Sequence, residues 1–180
     1  PRTNGGAKKP RKLSRTHKPD DLSLHEWQTE LRRQFGREQG FDIRNIGKQP
    51  VFSEFAVTNP DTKRTYRVAV RGDQPGVNYC SCPDFAVNTL GTCKHIEAVL
   101  QRLEHRHAAA LRNGHTPPFA EVYVKYGPRR VVLFSAGTEC PAALTKLAAR
   151  YFAEDGTLLQ DSFAEFNSFV QDAAKIAGEP

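Results

Sequence analysis

Cys80-Ser81-Cys82-Pro83-Asp84-Phe85, followed after a short loop by Cys93-Lys94-His95-Ile96, is the stretch whose reading decides this chain. Three thiols and an imidazole fall in two pairs with one residue inside each, and ten residues, Pro83 to Thr92, lie between the pairs. Zinc takes tetrahedral sulfur and nitrogen ligands, with Zn–S near about 2.3 Å and Zn–N near about 2.0 Å. Residues two apart on an extended strand project to the same side, so Cys80 and Cys82 can converge on one ion. In a regular helix residues two apart point about 200° from each other, which puts Cys93 at or before a helix cap and His95 in the first turn. The positive end of that helix then favours a thiolate at Cys93.

A shell of Cys80, Cys82, Cys93 and His95 leaves no open position for water or substrate, so the expected Zn²⁺ is structural and there is one of it. The loop from Pro83 to Thr92 has few large apolar residues, chiefly Phe85, Val87 and Leu90. The metal is therefore expected to staple hairpin, loop and helix, with a binding free energy on the order of 10 kcal/mol acting as folding free energy. With His95 neutral the site carries about one net negative charge; Lys94, His17 or a nearby arginine is available to soften it. Two rival readings are weaker. A disulfide framework suits secreted chains, and a Cys-x-Cys pair is badly spaced for bridging. A nucleophilic Cys93–His95 pair lacks an orienting partner and an oxyanion site. Cys140, before Pro141, reads as an inert small residue or a helix cap.

Upstream of the cysteines, Val51, Ser53, Phe55 and Val57 alternate, Asn59-Pro60-Asp61-Thr62 turns the chain, and Tyr66, Val68 and Val70 alternate with Arg67, Ala69 and Arg71. This is a β-hairpin with its arginines on or beside the solvent face. A short third strand is expected over Val77 to Cys82. Downstream, Ile96, Val99, Leu100 and Leu103 recur at the helical period, giving a helix to about Leu111 that the Gly114–Pro118 cluster stops. Further out, Leu22, Leu24, Trp27, Leu31 and Phe35 predict a helix over about 22–36, with Asp20 or Asp21 as N-cap, Gly36 or Gly40 as stop, and Trp27 in the core. After the zinc region, Val122, Val124 and Tyr126, then Gly127-Pro128, then Val131 to Phe134 predict a second hairpin. Two helices close the chain, one with Pro141 at its first position and a stripe of Leu144, Leu147, Ala148, Tyr151 and Phe152. The other comes after a capping-box pattern at Ser162-Phe163-Ala164-Glu165. No internal repeat is present.

The order hairpin, Cys-x-Cys, about ten residues, Cys-x-His, amphipathic helix resembles the SWIM zinc finger, a β-β-α module. Cys80, Cys82, Cys93 and His95 match its ligands one for one, and Pro83, Asp84, Ile96, Val99 and Leu100 also look like that family. The resemblance covers about residues 50–106. The segment from Glu121 through Cys140-Pro141-Ala142-Ala143-Leu144 to Tyr151-Phe152 and Asp155-Gly156-Thr157-Leu158 resembles the region immediately downstream of the SWIM module in the N-terminal part of bacterial Swi/Snf-type helicase-like ATPases. Those proteins carry the ATPase motor further along. This chain departs from the pattern by ending at Pro180, and it contains no Gly-x4-Gly-Lys-Ser/Thr phosphate loop.

The fold expected is thus α+β: a basic disordered tail at 1–19, a helix and linker at 20–49, a zinc-stapled β-β-α module at 50–112, and a C-terminal segment of hairpin plus two helices at 119–177. The tail reading rests on charge. Seven of the 26 basic residues and none of the 20 acidic ones lie in 1–19, which leaves 19 bases against 20 acids from position 20 onward. A stretch rich in Lys, Arg, Gly and Pro with one large apolar residue, Leu13, buries too little surface to offset its conformational entropy.

No run approaches the roughly 18 apolar residues of a membrane span, and residues 1–19 lack the apolar run of a secretory signal, so a cytoplasmic and, in a bacterium, nucleoid-associated protein is expected. The start at Pro1 and the absence of Met suggest a piece excised from a longer protein. Paired carboxylates, a phosphate loop and a nucleophile constellation are lacking, and Glu26, Glu30 and Glu38 read as solvated charges, so no enzyme is expected here. The resemblance implies a non-catalytic accessory region that binds nucleic acid, DNA ahead of RNA, or docks a helicase-like ATPase domain in cis or trans, with no membrane and no small-molecule substrate as partner. Lys8, Lys9, Arg11, Lys12, Arg15, Lys18, Arg64, Arg67 and Arg71, joined by Arg129 and Arg130 if they share a side, are the phosphate-contact candidates. Aromatic residues are sparse among them, so no base-stacking platform is indicated. The alternative is a protein-interaction adaptor with a purely structural zinc.

Overall fold

The structure, a computed structural model, describes residues 11–177. Helix α1 (Leu24–Glu38) leads into strands β1 (Asp42–Asn45), β2 (Glu54–Thr58), β3 (Thr65–Ala69) and β4 (Tyr79–Cys80), which form one antiparallel sheet in the order β1-β2-β3-β4. Helices α2 (Pro83–Val87) and α3 (Lys94–Asn113) come next. The hairpin of β5 (Glu121–Lys125) and β6 (Val131–Ser135), then α4 (Ala142–Ala148) and α5 (Phe166–Ala177), complete the chain. The mixed architecture is the α+β class expected. No helix among the described residues is long and apolar enough to cross a membrane.

The hairpin register explains the core. Phe55 faces Val68 and Val57 faces Tyr66 across β2 and β3, so the period-two side chains gather on one side of the sheet. There Val57, Val68, Phe85, Ile96 and Val99 are buried in one cluster with three of the cysteines, each such burial worth about 1.5–3 kcal/mol. The turn is held by Asn59, whose Oδ1 accepts from the backbone N–H groups of Asp61 (2.8 Å) and Thr62 (3.0 Å).

Several local expectations are corrected. Helix α1 is capped by Ser23, which exchanges hydrogen bonds with Glu26 in a capping box, and not by Asp20 or Asp21; Leu24, placed in its apolar stripe, is 63% exposed at the first turn. Gly36 does not stop the helix but sits inside it, against α3. The expected linker at 20–49 contains β1, which pairs with β2 from Asp42↔Thr58 to Asn45↔Phe55. The loop between the cysteine pairs contains α2. The third strand is only two residues long, Pro141 is the N-cap of α4 and not its first residue, and Ser162 ends a 3₁₀ turn (Gln160–Ser162) four residues ahead of α5.

The disordered tail is corrected over residues 11–19; residues 1–10 lie outside the described residues. Leu13 is buried against Trp27 and Leu31. Its backbone N–H donates to Gln34 Oε1 (2.7 Å), and Trp27 Nε1 donates to the Ser14 carbonyl (3.1 Å). One apolar anchor, one buried and one part-buried hydrogen bond thus tie this strip to α1, which a charge and composition argument averaged over 1–19 does not register. Trp27 is in the core, as expected.

The C-terminal segment has its own core, with Phe169 at its centre among Leu144, Leu147, Tyr151 and Phe152. The hairpin also touches the zinc region: the Tyr126 ring lies 4.4 Å from that of Phe85, and Tyr126 N–H donates to the Gly76 carbonyl (2.8 Å). A Cβ on Gly91 would stand 2.6 Å from the Tyr126 carbonyl oxygen, so only glycine, here at φ +71, allows that approach.

Candidate metal centre

Three elements deliver the four ligands. Cys80 is the last residue of β4, opposite Val68 of β3. Pairing runs one residue further, since Ser81 N–H donates to the Arg67 carbonyl (3.0 Å) and Ser81 Oγ accepts from Arg67 N–H (2.9 Å). This clamps the first ligand pair to the hairpin. Cys82 has extended backbone angles (φ −79, ψ 152), as convergence of a Cys-x-Cys pair demands, and is the N-cap of α2, its sulfur accepting from Phe85 N–H (3.4 Å). Cys93 is the N-cap of α3 with extended angles (φ −152, ψ 168), and its sulfur makes no capping hydrogen bond. His95 stands in the first turn of that helix, where the spacing argument put it.

The four donor atoms lie within 4.8 Å of one another. His95 Nδ1 is 3.8 Å from Cys80 Sγ and 3.9 Å from Cys93 Sγ, so Nδ1 is the nitrogen turned toward the sulfurs. Around a tetrahedral zinc, ligand atoms are separated by about 3.5–3.8 Å, given the usual bond lengths. The donor set therefore needs only a slight contraction to hold one ion. Cys80, Cys82, Cys93 and His95 are all buried, at 3% exposure or less. The His95 ring is flanked by Tyr66 (4.8 Å between centroids) and Phe41 (5.1 Å), which fixes its orientation.

Thiols this close cannot all ionise unaided. Hydrogen bonds from Cys80 and Cys93 hold the Cys82 thiol far below the ordinary range, aided by Phe85 N–H. Hydrogen bonding with Cys82 pushes Cys80 up to about 12, and burial, reinforced by the other two sulfurs, pushes Cys93 up strongly. A divalent cation held by all three sulfurs favours the thiolate at each of them and so offsets these opposed shifts.

Neighbouring polar groups brace the site. Thr92 Oγ1 donates to Glu97 Oε1 (2.6 Å), and Glu97 also pairs with Arg33 of α1 (3.3 Å). Arg32 pairs with Asp84 of α2 at 2.8 Å. Helix α1 is thus fastened to both helices that begin at a zinc ligand. Lys94 extends its amine over the Phe41 ring (5.7 Å), and His17 bonds Thr16 (2.9 Å). Cys140 bonds around Pro141 and Thr145 and belongs to the C-terminal cluster, not to the metal centre.

The phosphate-contact candidates are placed less simply. Arg11 pairs with Asp21 (3.0 Å), Arg15 with Glu38 (3.7 Å), Arg67 with Glu54 (3.8 Å) and Arg71 with Glu121 (3.7 Å). Lys18 donates to the Pro19 and Leu22 carbonyls, and Arg130 donates to the Ala86 carbonyl while covering the Tyr126 ring. Lys12, Arg64 and Arg129 are exposed and have no carboxylate partner among the described residues. Lys8 and Lys9 lie outside the described residues.

Residues 66–104 match the SWIM zinc finger family, a stretch that contains all four ligands and the start of α3. No curated protein and no solved structure matches the chain. The chain carries a SWIM-type zinc-binding module whose buried Cys₃His cluster fits one structural Zn²⁺.

Proposed function

We propose that the chain is a non-catalytic accessory region in which the zinc-stapled module presents a rigid, cation-bearing surface to the phosphate backbone of nucleic acid, DNA ahead of RNA. The observation that carries this reading is the closed, fully buried donor set: with four protein ligands and no approach for substrate, the metal's contribution is to shape. What it shapes is the first part of α3, which is capped by Cys93 and carries Arg102 and Arg106 onward from the metal before the non-helical backbone at His107 (φ −140, ψ 34) kinks the helix. The described residues hold 23 Lys and Arg against 19 Asp and Glu, so they are basic by themselves. Such binding is sequence-tolerant and falls steeply with salt.

The test is anisotropy of a short labelled duplex titrated with the zinc-loaded chain over a series of salt concentrations. The expected result is binding that weakens linearly in log–log form and is indifferent to base sequence; binding absent at every salt concentration refutes it. Repeating the titration without residues 1–10, which hold Arg2, Lys8 and Lys9, separates the folded surface from the leading segment.

A second reading, docking to a helicase-like ATPase domain, is supported by Leu159, Phe163 and Val170, exposed to 42, 70 and 47% close together in the chain. Co-purification with such a domain that survives nuclease and high salt, and is lost in Phe163→Asp, would favour it.

A further inference from the structure

The arginines that stand out in the sequence are mostly engaged with carboxylates, and a different set is not. Between the C-terminal half of α1, β1 and the middle of α3 runs an open groove of about 420 Å³, walled by Arg37, Arg102, His105 and Arg106. None of the residues lining it is acidic. We propose that this groove is the phosphate-backbone site of the chain, an inference that rests on the nucleic-acid reading above and locates it.

Arg37 and Arg106 are exposed and pair with no carboxylate among the described residues. Arg102 donates from Nη1 to the Ile43 carbonyl of β1 (2.6 Å), which fixes its guanidinium across the groove and leaves its other N–H groups for an oxyanion. Arg102 and Arg106 are four apart on α3, hence on one face about 6 Å apart along the axis. At its edge lies Gly40, where a side chain would meet nothing within 4 Å, so a sugar–phosphate chain can approach the backbone there.

One contribution opposes binding. Helix α1 ends here, and a helix C-terminus carries roughly half a negative charge. Three guanidinium groups, one of them Arg37 in that last turn, outweigh it. The larger groove of about 590 Å³ shares Arg37 and Gln101 with this one and also has Arg33 and Arg112, but four carboxylates, Glu30, Asp73, Glu97 and Glu104, line it and outnumber its three guanidinium groups.

The experiment compares the zinc-loaded full chain with Arg37→Gln/Arg106→Gln and with a charge-matched control in the C-terminal segment, Lys146→Gln/Arg150→Gln, both exposed, in the salt-dependent duplex titration. Each phosphate contact contributes about 0.9 to the log–log slope, so losing two makes it shallower by about 1.8 and weakens binding roughly 30-fold at about 0.15 M salt. Unchanged zinc content and circular dichroism show that the variants fold. The proposal expects that loss in the groove variant and an unchanged slope in the control. A groove variant that binds like the parent overturns the proposal and leaves the nucleic-acid reading standing, with the contacts then sought at Arg64 and Arg129. A parent chain that binds no duplex overturns both.

Discussion

Replacing Gly36 by alanine sets two effects of opposite sign against each other. Gly36 lies inside α1, where helix propensity alone makes alanine more stable by about 1 kcal/mol. Packing says otherwise. A Cβ at Gly36 would stand 2.9 Å from Ala98 N, 3.0 Å from the Lys94 carbonyl oxygen and 3.2 Å from the Glu97 carbonyl carbon. All three are backbone atoms of α3, so no rotamer change relieves the contact and the helices must separate by some tenths of an ångström. Overpacking of this kind costs about 1–3 kcal/mol, which leaves a net loss of about 1 kcal/mol and a melting temperature lower by about 2–4 °C. Because Lys94 and Ala98 flank His95 on the same helix, the displacement also loosens a zinc ligand. The assay is a thermal melt of the zinc-loaded Gly36→Ala chain by circular dichroism, paired with zinc transfer to a competing chelator. A rise in melting temperature of the size propensity predicts, with zinc retention unchanged, would refute the close α1–α3 contact and the coupling of α1 to the metal centre.

Two further outcomes are expected. Leu13→Ala removes the anchor of the 11–19 strip and costs about 2 kcal/mol of local stability; because Trp27 is the only tryptophan, a red shift of its emission reports the detachment, and an unshifted spectrum would contradict the packing. In the capping box, the Ser23 hydroxyl and backbone N–H hold the Glu26 carboxyl below its ordinary value of 4.5. A depressed carboxylate contributes stability that is full above its unfolded value and is lost as pH falls through the folded one. Carboxyl-carbon NMR titration should therefore place Glu26 below 4.5 and return it toward that value in Ser23→Ala; an identical titration in both chains would count against the cap.

Much of the centre of the molecule was legible because its constraints are local and chemical. Cys-x-Cys on a strand and Cys-x-His at a helix start admit few geometries, and the alternation around Phe55, Val57, Val68 and Val70 has one sensible partner. Strand β1 was not legible, since Asp42-Ile43-Arg44-Asn45 offers a single inward side chain and takes its pairing from β2. Nor was α2, whose five residues are too few for a helical period and are held between two ligand pairs. The cap at Ser23 was readable from the spacing to Glu26 but was masked by the two aspartates before it. The basic residues show the limit most clearly. Sequence counts arginines, whereas the fold decides which of them meet a carboxylate, and the partners of Arg15, Arg67 and Arg71 are brought to them by tertiary packing, across a helix, a strand pair and the junction with the second hairpin.

The central claim is that one zinc ion, held by Cys80, Cys82, Cys93 and His95, organises the chain. Its most direct measurement is elemental analysis of the reduced, purified protein, then titration of Zn²⁺ into the stripped form under circular dichroism. One zinc per chain, with ordered structure and a sharp melt returning at one equivalent, is the predicted result. A chain that binds no transition metal, or one whose spectrum and melting curve are the same with and without it, would contradict the account.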